Sequence, residues 1–273
     1  YMNQYLINHY GSQISRILLS VLLMLALCLV SLIVQAENNY RFHWGKIPVA
    51  SFSLSLPDAK SQIIKLEGRT VGFVGAIFSY EGAIQSDYSD LSSVNFRISG
   101  IDNGFSEHRE INFYSDRPAE ILDFLDDEQE QPAAEIVDSM GITVDPLRVV
   151  FALLSGSGAE STTEALSARD RCSGEYSVFD GKRHYRLKLE AAEDEILKAD
   201  RSWGYTGQAF RCDMLVVSLE AISGEEQNPW YEDDTDTRSL WLAEIDEQLT
   251  LVLVSMPGPI GRVTGRLEML KEL

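Results

Sequence analysis

Tyr176-Ser177-Val178-Phe179-Asp180-Gly181-Lys182-Arg183-His184-Tyr185-Arg186-Leu187-Lys188-Leu189 is the stretch whose reading decides the fold. Strand-forming residues flank Asp180-Gly181, a pair suited to the positive backbone angles of a type I′ turn. The stretch therefore predicts a β-hairpin. Past the turn, Tyr185, Leu187 and Leu189 share one face, with Arg186 and Lys188 on the other. Further along, Phe210–Leu219 reads as a strand carrying Cys212. Leu240–Ile245, Leu249–Met256 and Arg262–Leu270 read as a terminal meander, broken at Pro257-Gly258-Pro259.

Working toward the N-terminus, Tyr40–Trp44, Gly45-Lys46 and Ile47–Leu56 predict another hairpin, and Gln62–Leu66 continues it. Val94–Ile98 and Ile111–Phe113 alternate around the turn signal Asp102-Asn103-Gly104. Residues 115–142, acidic and holding Pro118 and Pro132, read as a solvated connection with a short helix. Asp145 and Pro146 open the clearest helix: Asp145 caps free N–H groups, and Pro146 at the first position loses no hydrogen bond. Leu147, Val150, Phe151 and Leu154 form its apolar stripe, and Gly156 ends it. Residues 155–169 follow as a linker. Runs of strands with one good helix mean a mainly β, antiparallel α+β fold rather than alternating βαβ units.

The chain has 273 residues, 45% of them hydrophobic, with 23 Lys+Arg against 42 Asp+Glu. That is enough apolar material for a core. A net charge of −19 excludes a general nucleic-acid binder, which needs clustered cations, and argues against adsorption to an anionic membrane. Residues 17–34, ILLSVLLMLALCLVSLIV, carry no charge, follow Arg16 and lead to Val34-Gln35-Ala36. These features predict a signal peptide over residues 1–36, cleaved after Ala36, and a single β-rich exported domain over 37–273 in the periplasm. The alternative is a retained anchor, because 18 apolar residues can just span a bilayer, and membrane contact would then run through 17–34 alone. Cleavage would leave 237 residues with a charge of −20, since the segment holds Arg16 and no acid. It would also leave Cys172 and Cys212, which in an exported chain suggest one disulfide, against the alternative of two buried thiols.

Several of these residues form a recognisable series. Asp145-Pro146-Leu147, Cys172, Val178–Tyr185 and Gly207-Gln208-Ala209-Phe210-Arg211-Cys212 come first; Gly224, Trp241-Leu242 and Gly261 or Gly265 follow. Together they resemble the signature of the family of unknown function numbered 3108, found in exported bacterial proteins. The likeness spans about residues 38–270. It departs in Leu249–Met256, where the family often has a proline, and in an acidic insertion at 225–236. The resemblance implies an envelope protein with a curled antiparallel sheet and a packed helix, similar to the half-open barrels of bacterial lipoprotein carriers. It implies no activity.

No catalytic signature appears. There is no Gly-x-Ser-x-Gly, His-Glu-x-x-His or Cys-x-x-Cys, and His43, His108 and His184 are scattered. Asp233-Asp234-Thr235-Asp236 lacks calcium-loop spacing and reads as a solvated face, as does Asp126-Asp127-Glu128. No catalytic, cofactor or metal residue is assigned. The structural turn is Asp180-Gly181. Lys182, Arg183, Arg186 and Lys188 form the densest basic cluster, either an outer face neutralising nearby acids or a docking face. Trp44, Trp203, Trp241 and Phe151, with Trp230, are either core aromatics or the lining of an apolar cavity. The expected function is a non-enzymatic binding module for a lipid or other hydrophobic envelope ligand. The alternatives are an assembly protein with an envelope partner and, third, a hydrolase without a recognisable motif.

Overall fold

A computed structural model describes residues 37–57, 62–126, 142–155, 167–181, 183–198, 204–221, 237–258 and 261–269. They belong to one compact unit, Glu37–Leu273. The expected signal peptide, Lys182, Trp203, Trp230 and the acidic 225–236 segment lie outside the described residues.

Among the described residues thirteen strands form one antiparallel sheet. In chain order they are β1 (Glu37–Trp44), β2 (Ile47–Ser55), β3 (Ile63–Thr70), β4 (Tyr80–Asp87), β5 (Ser93–Asp102), β6 (Phe105–Tyr114) and β7 (Glu120–Asp126), then β8 (Ser173–Phe179), β9 (Arg183–Leu197), β10 (Gly207–Ala221), β11 (Arg238–Ile245), β12 (Gln248–Pro257) and β13 (Arg262–Leu267). Among the described residues three helices accompany them: α1 (Gly72–Ile77), α2 (Pro146–Ser155) and α3 (Ala168–Arg171). The spatial order is β7-β6-β5-β4-β3-β2-β1-β13-β12-β11-β10-β9-β8. Two meanders thus meet where β1 pairs with β13, Phe42 opposite Gly265. β7 and β8 are the two edges, so the sheet is curled without closing into a barrel.

The curl brings β8 against the inner face of β6. Phe179 approaches Phe113 with ring centroids 6.5 Å apart, and Arg109 donates to the Asp180 carbonyl at 3.3 Å. Val178 and Phe179 are both fully buried although adjacent. Successive strand residues point to opposite faces, so this end of β8 is covered on both sides. A parallel bridge joins Val144 to Val178 along its free edge.

Curling needs close approach at the bends. Gly68 lies opposite Phe52 in the β2–β3 register, and the Phe52 ring occupies the space a Cβ would take. Gly82 and Gly100 continue the same row across β4 and β5. Aromatic cover of a glycine is a device for bending a sheet without leaving a void.

Asp145 caps α2. Its Oδ1 accepts from the backbone N–H of Leu147 at 2.9 Å and of Arg148 at 3.1 Å. It also accepts from Ser86 Oγ at 2.7 Å and Tyr88 Oη at 2.9 Å, which ties the helix start to β4 and the residue just after it. At the other end Arg171 Nη1 donates to the Leu154 carbonyl at 3.2 Å, placing a cation at the helix C-terminus. Leu147, Val149, Phe151, Ala152, Leu153 and Leu154 are all buried. The helix is therefore a core element packed inside the curl, not an amphipathic one with a single stripe.

Three local expectations change. Glu120–Asp126 is a strand, β7, within a stretch read as a solvated connection. Residues 72–77 form a short helix that the sequence reading did not foresee. Asp180-Gly181 is not the central pair of a type I′ turn, because Gly181 has positive φ, at 91°, but Asp180 does not, and the Asp180 N–H donates to the Arg183 carbonyl at 3.2 Å. Asp180 is held instead by Arg183, whose backbone N–H donates to Oδ1 at 2.7 Å. A Cβ at Gly181 would meet Arg109 Cδ at 2.7 Å, so glycine is required here by crowding as well as by φ. The hairpins at β1–β2 and β5–β6, the strands β8 to β13 and the disulfide Cys172–Cys212 are as expected.

Candidate functional site

Inside the curl, α2 leaves space on one flank. Val149, Val150 and Leu153 of the helix face Leu187 of β9, Met214 of β10 and Leu242 of β11 across a cavity of about 230 Å³. Every wall is apolar apart from the Tyr185 hydroxyl. The positions follow from strand alternation. Tyr185 and Leu187 share a face on β9, Met214 and Val216 on β10, Leu240 and Leu242 on β11. The disulfide fixes one wall, because Cys212 precedes Met214 by two residues and ties β10 to the start of β8.

A second cavity of about 210 Å³ adjoins the first and shares Tyr185, Leu187 and Met214 with it. It lies at the rim where the β8–β9 turn and the start of β11 meet, and Val216, Asp180, Arg183 and Arg238 complete it. Arg238 sits opposite Met214 in the register, so it extends the cavity face rather than the outer one. Arg183 Nη2 pairs with Asp180 Oδ2 at 2.9 Å. Behind the turn, Arg109 is buried and pairs with Glu107 at 2.7 Å, and Tyr80 Oη donates to Glu107 at 3.3 Å. Burial, reinforced by the Glu107 charge, pushes the Tyr80 phenol up to about 12.

A third cavity, of about 560 Å³, lies at the C-terminal end of α2. Phe151, Leu154 and Leu249 contribute apolar wall, but Glu244, Glu247 and Arg171 also line it.

The basic cluster does not form one face. Arg183 lines the rim cavity, whereas Arg186 pairs with Glu175 at 3.3 Å and Lys188 with Glu190 at 2.6 Å on exposed surface. The Glu190 carboxylate holds the Lys188 amine above its ordinary value. The aromatic lining is corrected as well. Trp44 lines none of these cavities. Trp241 donates its indole N–H to Glu195 at 3.1 Å, and its neighbours Leu240 and Leu242 line the flank cavity. Phe151 stacks on Tyr88 with centroids 4.6 Å apart and faces the lower cavity. The real lining is aliphatic and comes from the inward positions of four consecutive strands. The alternation of Tyr185, Leu187 and Leu189 was the available signal for it.

Ser177 Oγ lies 2.8 Å from His184 Nε2. The distance suits a nucleophile and its base, but neither residue lines a cavity named here. Among the described residues no group of three or more His, Cys, Asp or Glu could hold a metal ion, and no helix is long and apolar enough to cross a membrane.

No curated protein matches the chain. Its fold is similar to a solved structure from Brucella abortus, a β-barrel-like protein of the domain of unknown function DUF1849. The two superpose with a TM-score of 0.51 at 8% identity, over 85% of this chain and 95% of that one. At that identity the likeness concerns fold alone. Residues 39–268, which hold all of the curled sheet but the first two residues of β1, together with α2 and the disulfide, match the family described as protein of unknown function DUF3108, and the chain belongs to that family.

Proposed function

We propose that this protein is a non-enzymatic binding module of the bacterial periplasm, exported by residues 1–36, that holds a hydrophobic envelope ligand in the cavity between α2 and β9–β12. The observation that carries this reading is the aliphatic flank cavity adjoining a rim cavity. Protein interiors are normally packed without such space, and small-molecule sites are apolar recesses with a few placed polar groups. The test is organic extraction of the purified protein followed by mass spectrometry. Acyl-chain compounds are expected from the native protein and not from Leu187→Trp, whose indole fills the cavity. Protein that is consistently empty, and takes up no acyl compound when supplied with it, overturns the reading.

A second reading, an assembly protein with an envelope partner, is favoured by one patch. Phe73, at 71% exposure, lies with Ile77 and Phe78 on or beside α1, and Ile47, Ile101 and Phe105 are exposed at the same end of the sheet. Apolar clusters of this kind mark contact surfaces. Cross-linking from position 73 in cells would capture a discrete partner under this reading; its absence, with lipid present in the cavity, leaves the first reading standing alone.

A further inference from the structure

One end of the sheet gathers large apolar side chains at its surface. The β1–β2 turn, α1 and the β5–β6 turn lie there side by side, because β1 to β6 form an antiparallel meander. Residues 70–80, which contain α1, hold no charge in a chain of net charge −19. Phe73, Ile77 and Phe78 of this segment are exposed, as are Ile47 after the first turn and Ile101 and Phe105 around the last. We propose that this end is a membrane-docking tip, which inserts these side chains into a bilayer of zwitterionic lipid. The inference goes beyond the binding reading above and stands whether or not the cavity is occupied.

Hydrogen bonds tie the three connections into one platform. The Val71 N–H donates to the Val49 carbonyl at 3.0 Å, which holds the start of α1 on β2. At the end of α1 the Phe78 N–H donates to the Val74 carbonyl at 2.7 Å, and Thr70 Oγ1 donates to the Phe78 carbonyl at 2.8 Å. Ser79 joins the β5–β6 turn: its carbonyl accepts from the Asn103 N–H at 2.7 Å, and its N–H donates to Asn103 Oδ1 at 3.0 Å. Hydrocarbon offers no partner to a backbone polar group. These groups carry their partners with them, so the platform can enter the edge of a bilayer without losing hydrogen bonds.

Charge and area favour lipid over a protein partner. Beside the apolar side chains, exposed Lys46 and Arg69 are matched by exposed Glu81 and Asp102, and Arg69 lies opposite Glu81 across β3–β4. A collar of both signs suits headgroups that carry both signs, whereas the net charge of −19 opposes an anionic surface. The six apolar side chains, each about half exposed or more, present on the order of 600 Å². A standard protein interface takes roughly 800 Å² from each partner. Insertion into lipid has no such threshold, because its strength simply rises with the apolar area buried.

The experiment mixes the purified full chain with phosphatidylcholine vesicles, plain or brominated on their acyl chains so that an inserted indole loses its fluorescence. The emission that Phe73→Trp adds to the wild type is expected to be quenched by the brominated chains, a readout of the tip alone whatever residues 17–34 do. Replacing Phe73 and Phe78 together by Ser should lower the vesicle partition coefficient at least about tenfold, as the loss of two apolar side chains implies. Phosphatidylglycerol vesicles should bind the protein more weakly at low salt. Circular dichroism checks the folding of each variant; if the double variant does not fold, Ile101→Ser with Phe105→Ser takes its place. An added indole that brominated chains leave bright overturns the docking, as does a discrete protein or a second copy cross-linked from position 73 without partition into vesicles. Equal or stronger binding to phosphatidylglycerol overturns the zwitterionic assignment. An empty cavity overturns the binding reading and leaves the docking intact, so the two failures are separable.

Discussion

The two flanks of α2 make an instructive pair. The lower cavity, at about 560 Å³, has more than twice the volume of the flank cavity, at about 230 Å³. Yet the lower one is bordered by Glu244, Glu247, Gln248 and Arg171, and the smaller one by aliphatic side chains. Water satisfies carboxylates at little cost, so the lining of the larger space favours water. A dry recess instead gains by the removal of apolar surface from water. Under the proposed function, what the walls are made of, rather than how far apart they stand, separates a site from a gap.

That contrast can be broken at several points. Phe151→Ala enlarges the lower cavity and removes the stack on Tyr88. It should cost about 3–5 kcal/mol in chemical denaturation, while acyl compounds recovered from the folded protein stay the same. Loss of ligand in this variant would place the site in the wrong cavity. Replacing Cys172 and Cys212 together by Ala releases the wall strand β10 from β8. Their separation of 40 residues implies a cost of roughly 3–4 kcal/mol, read from the denaturation midpoint with the oxidised protein as reference.

Asp145→Asn should cost about 2 kcal/mol, through weaker capping and a disturbed link to Ser86 and Tyr88. It should also change the pH profile. Burial pushes the Asp145 carboxyl above its ordinary value, and its four hydrogen bonds oppose that shift. The folded state then holds this proton more tightly than the unfolded chain, so stability from this group is present at low pH and falls as pH rises through the raised value. Asp145→Asn should flatten that part of the curve, and an unchanged slope would assign it to other groups. Smallest of all, Glu247→Gln should shift stability by less than about 0.5 kcal/mol and leave ligand content unaltered.

Much of this arrangement was legible in the residues, and the rest was hidden for physical reasons. Tyr185, Leu187 and Leu189 announced an inward face, and that face is the cavity wall. Asp145 and Pro146 announced the helix start. The helix stripe was understated, because residues on both sides of α2 are covered and a single amphipathic stripe describes only surface helices. β7 was missed because Glu120 and Asp123 are exposed on an edge strand. The cluster Lys182, Arg183, Arg186 and Lys188 was read as one unit, yet residues 183 and 186 differ by an odd step on a strand and so face opposite ways. Trp44 and Trp241 line none of these cavities because tryptophan content says nothing about direction, whereas Leu240 and Leu242 are fixed by register across four strands.

The unclosed edge carries a mechanical consequence. In a sealed barrel, admitting a chain-like guest between strands means breaking ladder hydrogen bonds. Among the described residues the wrap is held by an arginine-to-carbonyl bond and a phenylalanine pair between β6 and the end of β8, and a short parallel bridge joins β8 to Val144. Parting the wrap breaks that bridge's two backbone hydrogen bonds, Val144 N–H to the Ser177 carbonyl and Phe179 N–H to the Val144 carbonyl, and separates the side chains, but no strand of the sheet has to leave its ladder neighbour.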